Sequence, residues 1–318
     1  MLSAICFTTR TGWARVADLS RISDLLDDPG CLLWATAEAD SLSETDIATI
    51  VEEFKLHPLA VEDALSERQR PKFETYPTHR FLVAHQVGDV DGRLTAHQVA
   101  CFLGDRYVLV IHRHAERALA EARARLQRPT APEGALIIHA LLDAIVDEYE
   151  ATAESLETQA ERIEEAVLGN PRAQVETELF AIKSRLAVLR RYAVPTERLL
   201  AQISEGSSAL GLRAPEAFRD VHDHTQRIAD SLRGVADLTD AVLDLQRGEQ
   251  TRHLSDVTKR LSGWAAIIAA PTLIASMYGM NFALVPQEGT MTGFVVAVST
   301  MVVSGGVLWG VMRRRGWV

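Results

Sequence analysis

Two long apolar segments lie near the C-terminal end of the chain. Residues 261–280 and 291–312 carry no charged side chain. A helix of 20 such residues, at about 1.5 Å per residue, reaches about 30 Å, which is the thickness of the hydrocarbon core of a bilayer. Residues 281–290, which include Pro286 and Gly289, predict a polar turn. The pattern predicts a two-helix membrane hairpin; the alternative is a buried helical hairpin of a soluble protein.

Three helical patterns precede this hairpin. The first covers 133–168 and ends at a Gly-Asn-Pro sequence, and the second covers 172–203. The third begins at Glu216 and continues to about residue 279, because no proline interrupts it before Pro271. A helix of that length, about 95 Å, is not stable alone. It therefore predicts packing against folded-back helices or against copies of the chain.

The first 132 residues alternate short strand and helix patterns, which predicts an α/β domain. The predicted strands are 31–36, 81–87, 97–103 and 107–112, with turns at 89–92 and 104–105. Ser43, followed three residues later by Asp46, predicts the capped start of a helix over 43–54. Pro58 predicts the start of a second helix within 56–65.

These patterns divide the chain into seven parts. They are an α/β domain (1–132), an antiparallel helical hairpin (133–215), a helical stalk (216–260), a first transmembrane helix (261–280), an external loop (281–290), a second transmembrane helix (291–312) and a basic tail (313–318).

The charge of the chain is unevenly distributed. The whole sequence has 33 Lys and Arg, 43 Asp and Glu, and a net charge of −10. Residues 259–318 nevertheless carry five basic side chains and one acidic side chain. The basic residues flank both ends of the hairpin, so the positive-inside rule predicts a plasma-membrane protein with both termini in the cytoplasm. The acidic remainder excludes a typical nucleic-acid-binding protein.

Other chemical motifs point away from catalysis and disulfide chemistry. The three cysteines are Cys6, Cys31 and Cys101, and no C-x-x-C pair occurs, so neither a disulfide framework nor a cysteine zinc site is expected. The chain has no phosphate-binding P-loop, no G-x-S-x-G and no H-E-x-x-H motif. We therefore expect that the protein is not an enzyme.

The sequence Tyr-Gly-Met-Asn ends the first apolar segment, at Tyr278, Gly279, Met280 and Asn281. In a ring of subunits, the amide carbonyl of Asn281 could contact a hydrated cation. Mg²⁺ gives up its water reluctantly, so contact through neutral oxygen atoms suits it. Conduction also requires binding that is weak enough to release the ion.

With these features the chain resembles the CorA family of divalent-metal transporters. The resemblance rests on YGMNF at 278–282, on the two-helix C-terminal end, on RRRGWV at 313–318, and on the segments 56–83 and 102–112. It implies a funnel-shaped homopentamer with a cytoplasmic α/β domain, a long pore-lining stalk helix, and Mg²⁺, Co²⁺ or Ni²⁺ as the transported ion. A ZntB-like zinc-transporting branch shares this architecture.

The resemblance also implies which residues face the pore. Tyr278, Gly279, Met280 and Asn281 would form the mouth, and Thr272, Leu261, Thr258 and Ser255 would lie deeper. Asn281, Asp244 near the cytoplasmic end and Glu288 in the loop are the candidate metal contacts. Two positions depart from the family: Ser255 stands where a pore Asn is usual, and Ala270 stands where a proline is usual.

Other polar groups have weaker interpretations. The acidic residues between Asp143 and Glu165 could concentrate or sense cations, or form a solvated helix face. His112 and His114 would share a face if both lay in a strand, but we expect no zinc site because no third ligand is evident. His222 and His224 are two apart on a predicted helix and do not share a face.

The sequence therefore predicts passive uptake of divalent cations, most of all Mg²⁺, with Co²⁺ and Ni²⁺ as further substrates. A zinc transporter of the same fold, coupled or not to protons, is one alternative. A membrane-anchored cation sensor that conducts nothing is the other.

Overall fold

The structure is a computed structural model that describes residues 2–8, 12–16, 22–66, 69–90, 92–126, 133–170, 173–205, 215–280 and 291–317. The chain forms two compact units. The first contains Met1–Leu168 and Gln174–Asp240, and the second contains Gly169–Ala173 and Ala241–Val318.

A seven-stranded mixed sheet organises the first unit, with strand order β2-β1-β3-β7-β6-β5-β4. The strands are β1 (Leu2–Thr8), β2 (Gly12–Arg15), β3 (Cys31–Glu38), β4 (Lys72–Thr75), β5 (Arg80–Val90), β6 (Arg93–Leu103) and β7 (Tyr107–His112). Among the described strands, only β3 and β7 pair in parallel. The carboxyl ends of these two strands therefore meet at one edge of the sheet.

Eight α-helices accompany the strands in the described part of the chain. They are α1 (Ile22–Asp27), α2 (Glu44–Glu53), α3 (Pro58–Leu65), α4 (Glu116–Arg125), α5 (Gly134–Gly169), α6 (Glu176–Glu205), α7 (Pro215–Gly279) and α8 (Met291–Arg314). A 3₁₀ helix, Ala39–Ser41, follows β3.

Helices cover both faces of the sheet. On one face, Leu33, Phe102 and Leu109 are buried together with Phe54 and Ala60, which lie at the end of α2 and in α3. Side chains alternate between the two faces along each strand, so neighbouring strand residues point to the opposite side. On that side, the Gln86 side chain of β5 accepts the N–H of Ala118 in α4 at 3.2 Å. The first unit is therefore a three-layer α/β/α arrangement.

The predicted helix starts are confirmed in atomic detail. The Asp46 N–H donates to the Ser43 hydroxyl at 3.1 Å, and the Ser43 N–H donates to the Asp46 carboxylate at 3.0 Å. This reciprocal pair satisfies two backbone donors that the first helical turn leaves free. Pro58 is the first residue of α3, and the ring of His57 accepts the N–H of Leu59. Local sequence signals thus determine where both helices begin.

The sequence patterns did not identify β1, β2, β4, α1 and α4. The missed strands are defined by pairing with distant strand segments, which a local pattern does not reveal. Strand β5 also extends to Val90, past the predicted end at Val87. Helix α6 begins at Glu176 rather than at residue 172, and Glu176 and Glu178 place negative charge in its first turn.

The expectation that no disulfide framework forms needs a correction at one position. Cys6 and Cys31 are joined by a disulfide bond, with Cα atoms 6.1 Å apart. They lie on the antiparallel strands β1 and β3, where Cys31 is paired with Thr8. This places the two cysteines diagonally on one face of the sheet, within reach of each other. Cys101 is a free, buried thiol, and burial raises its pKa.

The second unit contains the end of α7 and all of α8. Helix α7 runs without interruption over 65 residues, as predicted, and α8 extends two residues beyond the predicted 291–312. The apolar parts of both helices are long enough to cross a membrane and are almost entirely exposed. A soluble hairpin would bury such segments, so the alternative of a buried helical hairpin is disfavoured.

Candidate functional site

One side of the C-terminal part of α7 is half-buried. Gly263, Ile267, Pro271, Ile274 and Tyr278 lie on this side. The ring of Pro271 would lie 3.6 Å from a Cβ placed on Gly305 of α8, so the two helices approach closely there. We call this the hairpin side of α7.

The opposite side of α7 is exposed and carries most of the predicted pore residues. Thr258, Leu261, Thr272 and Gly279 are all exposed. At about 100° per residue, these four positions fall within about 60° of one another around the helix axis. Ser255 lies about 60° further round, next to Thr258. We call this surface the open side of α7.

The hydroxyl groups of the open side are oriented by the helix itself. Thr258 donates to the carbonyl of Leu254 at 2.8 Å, and Thr272 donates to the carbonyl of Ile268 at 2.8 Å. Ser276 repeats the pattern one turn later, with a bond to the Thr272 carbonyl. A hydroxyl has one proton, so once that proton is donated only oxygen lone pairs remain for a ligand. The open side therefore presents acceptors, which suit a hydrated cation.

The predicted mouth residues lie at the end of α7. Gly279 is its last residue, Tyr278 is half-buried, and Met280 is exposed with its N–H directed to the Met277 carbonyl. Asn281 and Glu288 lie outside the described residues. The structure therefore brings Tyr278, Gly279 and Met280 to one helix end but gives no geometry for the two loop residues.

Asp244 lies on α7 in the same unit. Its carboxylate is 75% exposed and 3.3 Å from the guanidinium of Arg247. An exposed ion pair of this kind contributes little free energy. Arg247 therefore does not prevent Asp244 from meeting a cation, and its assignment as a metal contact stays a prediction.

The acidic residues of α5 are not a uniform solvated face. Arg125 of α4 forms ion pairs with both Asp143 and Asp147. Glu148 is buried, and burial raises its pKa to about 7, although Arg117 at 3.2 Å opposes the shift. Helical periodicity alone did not distinguish this buried carboxyl from its exposed neighbours.

Several histidines lie next to carboxylates in the folded chain, and the sequence did not reveal these contacts. His112 ends β7 and faces Glu38 on β3, and carboxylates that the sequence did not make evident lie near both His112 and His114. The nearby carboxylates come from elements distant in sequence, so only the strand pairing could have shown them. His222 and His224 separate as predicted: His222 lies 3.5 Å from Glu197, and His224 is grouped with Asp147 and Glu150.

The chain combines a large α/β unit with two C-terminal helices that are long and apolar enough to cross a membrane. A sequence model of the family described as "CorA-like Mg2+ transporter protein" matches residues 32–314, and the chain belongs to this family. This is a family of divalent-metal transporters.

Three relatives show how far the similarity extends. The putative metal ion transporter YfjQ of Bacillus subtilis is 27% identical over 294 residues, which cover 90% of each chain. The cobalt/magnesium transport protein CorA of Thermotoga maritima is 27% identical, over 87% of this chain and 81% of its own. The zinc transport protein ZntB of Pectobacterium carotovorum is 24% identical, over 69% of this chain and 68% of its own.

The complete structure of the CorA magnesium transporter from Methanocaldococcus jannaschii has the same fold. It superimposes with a TM-score of 0.80 over 99% of this chain and 98% of that chain, at 16% sequence identity. The α/β unit, the long helix and the two C-terminal apolar helices predicted from the sequence are thereby confirmed as the fold class.

Proposed function

We propose that this chain forms a passive, channel-like pathway for divalent cations, with Mg²⁺ as the main ion and Co²⁺ and Ni²⁺ as further substrates. The observation that carries the proposal is the open side of α7, where Thr258 and Thr272 present oxygen acceptors opposite the hairpin side. Relatives named as cobalt/magnesium transport proteins support the choice of ions.

In this proposal the chain works as a homopentamer in the plasma membrane, which is the inner membrane if the cell has two. Both termini lie in the cytoplasm, since basic residues flank both ends of the hairpin. Five copies of α7 surround the pathway with their open sides inward. The open side of α7 then faces the pathway, and its other exposed residues are covered by lipid, by α8 or by another copy.

The ion passes with much of its hydration shell. The rings formed by Thr272, Thr258 and Ser255 accept hydrogen bonds from that shell, and a ring of Asn281 carbonyls at the mouth does the same. Leu261 forms an apolar constriction among these rings, where dewetting could close the pathway. Glu288 and Asp244 raise the local cation concentration at the two ends. The membrane potential supplies about 2.3 kcal/mol per charge per 100 mV, twice that for a divalent ion.

Zinc transport is the second candidate, and two observations favour it. The ZntB protein of Pectobacterium carotovorum matches more than two thirds of the chain. Ser255 also replaces the Asn expected at that pore position, which changes the ligands that a partly hydrated ion would meet. In this version Zn²⁺ enters together with protons.

The test is metal entry into proteoliposomes that contain the full-length protein. Mg²⁺- and Zn²⁺-sensitive dyes are read in parallel, with an imposed membrane potential and with or without a pH gradient. Asn281→Ala is compared with Asn170→Ala, which removes the chain's other asparagine, in a connection outside the apolar segments. The proposal predicts Mg²⁺ entry driven by potential alone, lost in Asn281→Ala and kept in Asn170→Ala.

Three other outcomes would contradict parts of this proposal. Zn²⁺ entry that needs the pH gradient assigns the protein to zinc transport. No entry of either ion, from a protein shown by mass to be an intact pentamer, contradicts transport and leaves a cation sensor. Equal entry through the wild type and Asn281→Ala contradicts the role of the Asn281 ring.

A further inference from the structure

The parallel pair β3 and β7 ends in a group of histidine and carboxylate side chains. Glu38 is the last residue of β3, and its register partner His112 is the last residue of β7. Their side chains point to the same face of the sheet, with His112 Nδ1 3.0 Å from Glu38 Oε2. In sheets with parallel strands, ligands commonly bind beyond the carboxyl ends of those strands.

His112 is the buried part of this group. Its side chain is only 8% exposed. Within the described residues, neither His112 Nδ1 nor Glu38 Oε2 has a hydrogen-bond partner of good geometry. A buried polar atom without such a partner is costly and calls for an explanation, such as an ion.

The chain after β7 brings further ligands to Glu38. His114 has a φ of 50°, a left-handed conformation that is uncommon for a residue with a side chain. Its N–H donates to Glu38 Oε1 at 3.2 Å, and this turn leads into α4, which begins at Glu116. One ligand atom each from Glu38, His112 and Glu116 lie within 4.8 Å of one another. The same holds for Glu38, Asp40 and His114.

We propose that Glu38, His112 and Glu116 form a binding site for one transition-metal ion of the Zn²⁺, Co²⁺ or Ni²⁺ class. His114 is close enough to Glu38 to add a fourth ligand. Imidazole together with carboxylates suits these ions, whereas Mg²⁺ prefers oxygen ligands alone. Two carboxylates also balance the charge of a divalent ion. Asp40 is a weaker candidate ligand, because Arg113 already forms an ion pair with its carboxylate at 2.8 Å.

A second group in the first unit consists of Asp147, Glu150 and His224. It is a weaker candidate, since Arg125 already neutralises Asp147 and none of its three side chains is buried. Its ligand types match those of the Glu38 site. A substitution of His224 in this second group is therefore a matched control for substitutions at the Glu38 site.

The experiment titrates Co²⁺ and Zn²⁺ into the full-length, tag-free protein in detergent after removal of metals by a chelator. Co²⁺ is followed by its visible absorption and Zn²⁺ by equilibrium dialysis, both in excess Mg²⁺. The variants are Glu116→Gln and His114→Ala, which alter exposed side chains and leave buried His112 in place. His224→Ala is the control for the second group.

The proposal predicts one Co²⁺ or Zn²⁺ per chain that excess Mg²⁺ does not displace. Glu116→Gln should weaken binding at least about tenfold, since even a change next to a metal ligand costs about 10–100-fold. His114→Ala should weaken it as well, and His224→Ala should bind like the wild type. The proposal is overturned by wild type that binds no ion, by unchanged binding in Glu116→Gln, or by loss of the ion in His224→Ala. Because the readout is binding, it is independent of transport.

Discussion

Helix α7 has two parts that differ sharply in their surroundings. Before residue 240, a regular stripe that includes Phe218, Val221, Leu232 and Val235 is buried. This part is tied to α5 and α6 by polar contacts, such as the Ser231 hydroxyl on Glu157 and Lys183 on Asp240. From residue 251 to 262, every side chain is exposed. A single helix thus passes from a region with protein partners to one without them among the described residues.

The difference indicates what stabilises each part. The first part resembles any soluble helix, whose stability comes from burying an apolar stripe. The second part and α8 expose large apolar residues over their whole length, including Leu273, Phe294 and Val302. In water such a surface would cause aggregation. The exposed surface of the second unit is therefore suited to lipid, whereas α7 before residue 240 buries its apolar stripe against protein.

Phe102→Ala should produce the largest effect on the first unit. The ring is fully buried between the sheet and α2 and α3, so its removal should lower the free energy of unfolding by about 3–5 kcal/mol. Leu59→Ala, at a largely exposed position, should change it by less than about 0.5 kcal/mol. Chemical denaturation of the purified protein measures both values. Equal effects would mean that the first unit lacks the core described above.

Val302→Asp tests whether α8, in the second unit, inserts into a membrane. Val302 is 68% exposed on α8, and a carboxylate near the centre of a membrane helix costs about 2.5–3.5 kcal/mol on insertion scales. We expect a large fall in the membrane-inserted fraction. Leu168→Asp, at a similarly exposed position (67%) in the first unit, should insert like the wild type. Normal insertion of Val302→Asp would contradict the membrane assignment of α8.

Glu148→Gln tests the pH dependence of the first unit. Its pKa in the folded state is about 7, above its ordinary value of 4.5. The contribution of the Glu148 side chain to the free energy of unfolding is therefore fully present below about pH 4.5 and is lost as the pH rises through about 7. We expect Glu148→Gln to raise stability at pH 8, by up to about 3 kcal/mol, and to have little effect at pH 4.5.

Thermal unfolding at several pH values measures this difference. Glu150→Gln, two residues away on the same helix, is the control. A loss of stability at pH 8 in Glu148→Gln would show that the ion pair with Arg117 outweighs the cost of burying the carboxylate.

Ser43→Ala should have the smallest effect of this series. It removes one of the two reciprocal bonds at the start of α2 and should cost about 1 kcal/mol. Thr49→Ala removes a hydroxyl that bonds only to the carbonyl of Thr45 in the same helix, and should cost less. Denaturant midpoints of the two variants decide the order. The reverse order would contradict the capping interpretation.

What the sequence could predict depended on whether the signal was local. The Ser43 cap, the Pro58 helix start and the two uncharged segments are local, and they were predicted correctly. The strand β1, the Cys6–Cys31 bond and the meeting of Glu38 with His112 depend on pairing between distant segments, which no window of sequence contains. The burial of Glu148 likewise depends on how α4 and α5 pack. The positions on the open side of α7 were expected from the family resemblance alone, and their exposure depends on how α7 and α8 pack.

The central claim is that the open side of α7 lines the ion pathway and that the hairpin side does not. One cysteine at a time is introduced at Thr258 or Thr272 on the open side, and at Ile267 or Ile274 on the hairpin side. The wild type, treated in the same way, corrects for reaction of the native cysteines. Divalent-ion entry into proteoliposomes is measured before and after a charged, thiol-specific reagent. The account predicts block at 258 and 272 and none at 267 and 274. Block at the hairpin-side positions, with none at the open side, would contradict it.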